Sequence, residues 1–591
     1  MTTAQSLRAS LRVSPSARLA ALLLAVAGVL VACGGGGSVP ATQPGGLRPL
    51  SADFSTRKAV NYSPYRSGNR DTEVVTRANV LQDLGLLAQG GFTLIRTFDS
   101  SDEFARLMLQ IIKDNQINMK VQLGIFIAPT NGSGAALASA LQFNNAEVAR
   151  GIRLANEFKD IVIAVSVGNE SIAFGTSTPE VMAAYLTTVR GGVTQPLTTN
   201  DVWDAYAGLP GNGGAGMPPF VTNLIDFAAV HTYPILYASP SYYDPWDWEQ
   251  QAVPEASRAA AMMDAAVERV KVNFAAVRKH LDGQAHSDMP IVLGEAGWKA
   301  VPTGDLGFLA HPVNQKMFYD RLMAWGEQSK NAGGPVAIFY FEAFDEPWKA
   351  TANPGFNDDH WGLFNVSRQA RYVVQSLYSA SQWEPGSYTL ADAVFAPTVV
   401  SQVISANRYT VYADAATAGE ARAPTASWFG FDSPPNAFAG EGADAALAAE
   451  GTHFMEIGPA PSTAVGKDYG WGALTVTTPP RVDLSQFAAS GKLNFSIKTT
   501  YPGKLMFGFG TPVAGAVFVV ASNTNADGYG YLNDGNWHQV SIPISAFAAA
   551  GGRFDLTKVT NTLVVADIYD RTLNARGSTA KVFIDAVYWS K

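Results

Sequence analysis

The stretch Val165-Ser166-Val167-Gly168-Asn169-Glu170-Ser171 (VSVGNES) ends an apolar run with a polar cluster. With Val162, Ile163 and Ala164 before it, the run reads as a strand buried on both faces. Asn169 and Glu170 stand where that strand should stop. A carboxylate beside an amide at the tip of a core strand has a structural reading, as a helix cap or rim salt bridge. It also has a chemical one, as a catalytic acid. The surrounding sequence decides between them.

Working outward, strand-like and helix-like segments alternate on both sides. Strands are expected at Ala59–Tyr62, Phe92–Arg96, Met119–Ile127, the VSVGNES segment, Pro196–Trp203, Ile225–Tyr233, Pro290–Gly294 and Pro335–Phe341. Helical spacing of apolar residues marks Ser101–Gln116, Val148–Phe158, Ala256–Leu281 and Asn314–Ser329, and Thr178-Pro179-Glu180 opens one more helix with a capping hydroxyl. Eight such strands over residues 51–385 predict an α/β fold, a (β/α)8 TIM barrel. An open doubly wound sheet would carry a Gly-rich phosphate loop after its first strand, and none is present. From 407 to 591 short strands dominate (among them Tyr409–Tyr412, Leu493–Ile497, Leu505–Phe509, Gln539–Ile542 and Val582–Tyr588), which predicts a β-sandwich of jelly-roll type. Residues 386–406 read as the linker between the two.

The chain has 591 residues, 47% of them hydrophobic and 16% charged, with a formal net charge of -8. This is an ordinary globular composition without the basic footprint of a nucleic-acid partner. Arg8, Arg12 and Arg18 precede an apolar run, Leu19–Ala32, that is short for a membrane span. The run ends at Cys33, the only cysteine, and Gly34-Gly35-Gly36-Gly37-Ser38 follows. This resembles a bacterial lipoprotein signal. It implies removal of residues before Cys33, acylation of Cys33, a flexible tether over 34–50 and an outer-membrane location in the cell envelope.

In a barrel of this kind the catalytic groups sit at the C-terminal ends of strands. Polar residues gather there repeatedly: Tyr62, Arg96, Asn169 with Glu170, His231 with Tyr233, Glu295, and the stretch from Glu342 to Lys349. Glu170 closes the fourth strand and Glu295 the seventh, so both carboxylates can face one mouth. Two facing carboxyls suit glycoside hydrolysis, where one protonates the leaving oxygen and the other attacks or activates water. The seven histidines form neither HxH nor HExxH, so no metal and no cofactor are expected. His231, on an apolar strand, reads as a satisfied core histidine.

Together VGNE (Val167–Glu170), LGEAGW (Leu293–Trp298), FEAFDEPWK (Phe341–Lys349) and HWGLFN (His360–Asn365) resemble glycoside hydrolase family 17, in order and over about residues 55–380. The resemblance implies a retaining β-1,3-glucanase, with Glu170 as general acid/base and Glu295 as nucleophile. It further implies that Lys349, held by Glu346, supplies positive charge to Glu295. Asn169 is expected to bond a sugar hydroxyl, and Tyr62, Arg96 and Tyr233 to orient the site, with Tyr233 donating to Glu295. Trp298 and Trp361 are either sugar platforms or packed anchors.

The C-terminal half resembles galactose-binding-like carbohydrate-binding modules through Asn536–Pro543 and Val582–Tyr588. Tyr469, Trp471, Tyr529 and Tyr531 are candidate sugar-stacking residues there, and Asp432 and Asp585 are candidates for a structural calcium. The whole reads as a lipid-anchored enzyme acting on β-1,3-glucan. A β-1,3-glucanosyltransferase, which shares the same intermediate, and an inactive surface glucan-binding protein are the alternatives.

Overall fold

In the computed structural model the described residues are 46–591, except 209–215, 238–245, 353–358, 425–426, 432–437, 459–471, 477–480, 512–514, 522–527, 551–553, 568–577 and 579. The expected signal segment and Cys33 lie outside them, as do Asp432, Tyr469 and Trp471.

Eight parallel strands close into a barrel in chain order. They are β1 (Lys58–Asn61), β2 (Phe92–Arg96), β3 (Lys120–Ile125), β4 (Val162–Asn169), β5 (Leu197–Val202), β6 (Ala228–His231), β7 (Ile291–Ala296) and β8 (Ile338–Tyr340). Side chains alternate between the barrel interior and the helix layer, so parity along each strand decides what each residue meets. At the lower end the interior is apolar: Ala59, Leu94, Ala164, Ala229, Val292 and Phe339 pack together with Phe54, from the short helix Asp53–Thr56. Further toward the C-terminal ends of the barrel strands come Asn61, Arg96, Gln122, Asn200, His231 and Glu295, all buried and polar. The sequence thus spends its apolar residues sealing one end and leaves ionisable ones at the other.

The lower end is also closed by the first described residues. The Arg48 side chain donates to the Gln195 and Arg190 carbonyls at 3.0 and 2.8 Å, and its N–H donates to Asp226 at 2.9 Å. Leu47 and Leu50 pack on the apolar clusters. Residues 46–50, expected as tether, are therefore part of the barrel.

Around the strands lie α1 (Arg77–Gln89), α2 (Leu107–Asp114), α3 (Gly134–Glu157), α4 (Pro179–Gly192), α5 (Glu255–Gly283) and α6 (Pro312–Ser329). α3 starts well before the expected Val148. Its first turns are largely exposed and rich in Ala, so they carry propensity without apolar periodicity. α1 was not foreseen for a similar reason: only Val80, Asp83, Leu84 and Leu87 of its thirteen residues are buried.

Beyond the barrel, two sheets built almost wholly from antiparallel pairs face each other across a second core that includes Phe495, Phe507, Phe509, Val565 and Trp589. The Phe495 and Phe507 rings meet edge to face at 5.0 Å. The expected linker is not free. Ala396 is buried among barrel residues, and Asn314 exchanges two hydrogen bonds with the backbone of Val394, at 2.7 and 2.8 Å. Gln402–Val403 then pairs with Val482–Asp483 of the second domain, whose core takes in Ile404. A buried ion pair joins the domains directly: Arg481 donates to Glu249 Oε2 at 2.6 Å and closes on Oε1 with its other amino nitrogen. Read from sequence as a linker, 386–406 is a strap fastened to both domains by these contacts.

Candidate active site

Glu295 is the centre of the polar mouth. β7 brings it there after Gly294, where a Cβ would lie 2.4 Å from Asn200 Oδ1 and 3.2 Å from the His231 ring. Only glycine leaves room for those inward side chains. Arg96, on β2, donates to Glu295 Oε1 at 2.6 Å, and the Tyr233 hydroxyl donates to Oε2 at 2.6 Å. Burial pushes the Glu295 carboxyl up, but the His231 ring, the Arg96 guanidinium and the Tyr233 hydroxyl outweigh it, leaving the carboxyl below its ordinary range. The guanidinium is itself held in place, because it donates to Asn61 Oδ1 at 3.0 Å and to Asn169 Oδ1.

Glu170 reaches the same mouth by a backbone irregularity. The pairing of β4 with β5 shifts register between Ser166 and Asn169. Gly168 takes φ +78°, and a Cβ there would lie 2.5 Å from Met182 Cε. Glu170 follows with φ +54°, a left-handed conformation that costs a non-glycine residue about 1–2 kcal/mol. The result is a partly exposed carboxylate at the rim, facing a buried one. His231 lies between them, its Nδ1 2.8 Å from Glu170 Oε1 and 3.5 Å from Glu295 Oε2. One ligand atom from each of Glu170, His231 and Glu295 lies within 4.8 Å of the others. A cation could find three ligands in that triangle. It would compete there with the Arg96 charge and the Tyr233 proton already on Glu295, which favours an organic, hydroxyl-bearing ligand over a metal.

Of the expected residues, Glu170, Glu295, Asn169, Arg96 and Tyr233 come together. Tyr62 does not. It follows the inward-facing Asn61, so parity turns it into the helix layer, where it is fully buried between Phe104 and Phe344 and donates to Asp83 at 3.2 Å. Asn61 holds the inward position instead, donating to the Gly294 carbonyl at 3.1 Å. Its register partner is Arg96, so parity alone could have found it.

Trp298 offers no platform. It is fully buried against Phe318 and Trp246, and its Nε1 donates to the Leu309 carbonyl at 3.0 Å. Trp361 is buried too, edge-on to Tyr233 at 5.4 Å, and so braces that tyrosine. Lys349 takes its place 2.6 Å from Glu346 and 3.4 Å from Glu342. The cation against Glu295 is Arg96. Burial tends to raise the Glu346 carboxyl, but Lys349 and the Glu342 hydroxyl bring it down to about 2. Burial and the Glu346 charge push Glu342 well up, so the two carboxyls share a proton beside Lys349. His231, read as a core histidine, is the functional-site residue that pattern reasoning missed; only its place beside two carboxylates distinguishes it.

In the second domain Tyr531 is buried against Phe507, as a core aromatic, and Tyr529 packs against the same core. The Asp585 carboxylate accepts N–H bonds from Ala449, Glu450 and Ala586, at 2.8, 3.1 and 2.6 Å. With its oxygens spent on backbone donors, it pins a loop and is a poor calcium ligand.

A barrel with two carboxylates facing each other at the ends of β4 and β7, one of them clamped by arginine and tyrosine, defines a glycosidase-type mouth. The profile of the BtgE/BtgC glycoside hydrolase domain matches residues 59–362, and the chain belongs to that family, a relative of the β-1,3-glucanases in glycoside hydrolase family 17. A second profile, carbohydrate binding domain 30, matches residues 433–591. Among curated relatives, a glucan 1,3-beta-glucosidase of Arthroderma benhamiae is 25% identical over 317 residues, covering 51% of this chain and 86% of that one. Glucan endo-1,3-beta-glucosidase 8 of Arabidopsis thaliana is 26% identical over 340 residues, covering 50% and 68%. Among solved structures, an endo-laminarinase from Formosa Hel1_33_131 shares 24% identity with a TM-score of 0.46, covering 56% of this chain and 89% of that one.

Proposed function

We propose that this chain hydrolyses β-1,3-glucan with retention of anomeric configuration, Glu295 being the nucleophile and Glu170 the acid/base. The observation that carries the reading is the pair of facing carboxylates whose nearest ligand oxygens lie within 4.8 Å. Retaining carboxyl groups stand closer together, about 5–5.5 Å apart, than inverting ones at about 6.5–9.5 Å, and the close approach of these two oxygens favours retention. The asymmetry of the environments supports the division of roles. Glu295 is buried, bonded by Arg96 and Tyr233, and held ionised, as a nucleophile must be. Glu170 is more exposed and free to exchange protons with a leaving oxygen and then with water.

In the first step Glu295 attacks the anomeric carbon while Glu170 protonates the departing glycosidic oxygen. Glu170, now a carboxylate, then deprotonates the water that releases the sugar from Glu295. As negative charge leaves Glu295, Arg96 loses an ionic partner but keeps Asn61 and Asn169, so the guanidinium stays in position. His231 Nδ1, 2.8 Å from Glu170 Oε1, can donate to Glu170 as a carboxylate and steady it for the second half of the cycle. The β-1,3 linkage draws support from the two relatives near 25% identity, whose names specify it.

In this reading the second domain holds insoluble β-glucan near the barrel, and an acylated Cys33 anchors the exported chain at the outer membrane. Chromatography and NMR of products from laminari-oligosaccharides test the enzyme reading. Shorter products, first released as the β-anomer, are expected. An initial α-anomer would overturn the mechanism, longer products would indicate transfer to sugar in place of water, and no turnover would refute the activity.

A further inference from the structure

Asp201 is the penultimate residue of β5, one after Asn200, whose side chain faces inward; by parity Asp201 lies behind the barrel wall, fully buried. It cannot touch a substrate from there. Its carboxylate instead accepts three backbone N–H bonds: from Ile172 at 3.0 Å, from Ala173 at 3.2 Å and from Val202 at 2.9 Å. Ile172 and Ala173 belong to the turn that leaves Glu170. On the near side of that turn, Glu170 N–H donates to the Asn200 carbonyl at 2.8 Å, and the Glu170 carbonyl accepts from Phe174 at 3.2 Å. Two consecutive residues of β5 therefore grip the backbone on both sides of a residue that stands in a left-handed conformation, φ +54°.

We propose that Asp201 is the positioning residue for Glu170: its buried carboxylate fixes the turn that presents the Glu170 side chain to the mouth. Burying a carboxyl is costly, and burial drives this one up to about 8 against the pull of its backbone donors. An apolar side chain would fill the same space without that penalty. What the carboxyl adds is an acceptor oxygen on each side, Oδ1 for Ala173 and Val202 and Oδ2 for Ile172. The inference rests on the acid/base reading of Glu170.

Asp201→Asn and Asp201→Ser test it on a series of aryl β-laminaribiosides with good and poor leaving groups. Asn keeps the volume but turns an NH2 group toward amide donors; Ser removes both acceptors. A misplaced acid matters only when the leaving oxygen needs a proton. The expected loss in kcat/KM is on the order of 10–100-fold for poor leaving groups and below about 3-fold for good ones. Equal loss across the series, or none, would overturn the proposal. Glu170→Ala serves as control: if its own loss is independent of leaving group, the acid assignment fails, whatever Asp201 does. Hydrogen exchange on the unmodified protein gives a readout that needs no variant. The Ile172 and Ala173 amides should exchange as slowly as those of β5, and rapid exchange at both would also refute the clamp.

Discussion

Arg96→Met tests the electrostatic core of the site most directly. The side chains of Arg96 and Glu295 are only 1% and 6% exposed, and the pair is closed at 2.6 Å. Methionine fills much of the volume while removing the charge. Breaking a buried pair by deleting one partner costs about 3–5 kcal/mol, because the remaining charge is left uncompensated. If that cost falls on the ionised nucleophile, it corresponds to roughly a 10²–10⁴-fold loss in kcat/KM at a pH where Glu295 must be charged.

The pH dependence carries the sign. In the wild type Glu295 is held below its ordinary value of 4.5, so it contributes stability above that value that is lost as pH falls through its folded pKa. The variant keeps His231 and Tyr233 but loses the Arg96 charge and its hydrogen bond, so burial is opposed by less and the carboxyl moves up. The stability it contributes above 4.5 shrinks accordingly. Urea unfolding followed down through pH 4.5 should show a loss from this group in the wild type that is smaller in the variant, with both flat toward about pH 8. The acidic limb of the kcat/KM profile should move to higher pH in the variant, with activity partly recovered on the alkaline side. A uniform loss across pH, with the acidic limb unmoved, would refute the assignment of Arg96 as the charge that keeps Glu295 ionised.

Trp298→Ala should lower unfolding stability by about 3–5 kcal/mol, as for a buried aromatic, and change KM little in the fraction that remains folded; a large KM effect at unchanged stability would restore it as a sugar platform. Arg481→Met should leave Glu249 buried and unpaired and expose residues 394–406 to limited proteolysis, while adding Glu249→Gln should recover part of the lost stability; additive effects in that double-mutant cycle would show that the pair does not couple the domains. Cys33→Ala should move the protein from the membrane fraction to the soluble one or leave its precursor unprocessed, and identical fractionation with no acyl label on either form would refute the lipid anchor.

The barrel was legible because a strand's periodicity and its ends are local. Eight apolar segments alternating with helical ones are enough to predict β1–β8, and the rule that chemistry gathers at C-terminal strand ends picks out Glu170, Glu295, Arg96, Asn169 and Tyr233. Even Tyr62 was a local error: the strand was right, but its parity was one residue off, and Asn61 faces inward. Contact between distant segments is different, because nothing in either segment marks it. His231 reads as a core histidine from its own strand, and becomes part of the site only because β4 and β7 set carboxylates on both sides of it. Trp298 shows the reverse: it ends the LGEAGW stretch that carries Glu295 and is packed away by Phe318, Trp246 and the Leu309 carbonyl.

The strap across 386–406 and the partner of Lys349 were decided in the same way, by residues remote in sequence or by competition among several carboxylates. The sequence by itself determined the strand order, the two domains and the residues at the mouth, since these follow from periodicity, turn chemistry and motif order. Tertiary structure alone decided which charge meets which. Coulomb and hydrogen-bond partners are chosen by distance in space, and the closure of the barrel brings Arg96 onto Glu295, 199 residues away, with His231 beside them.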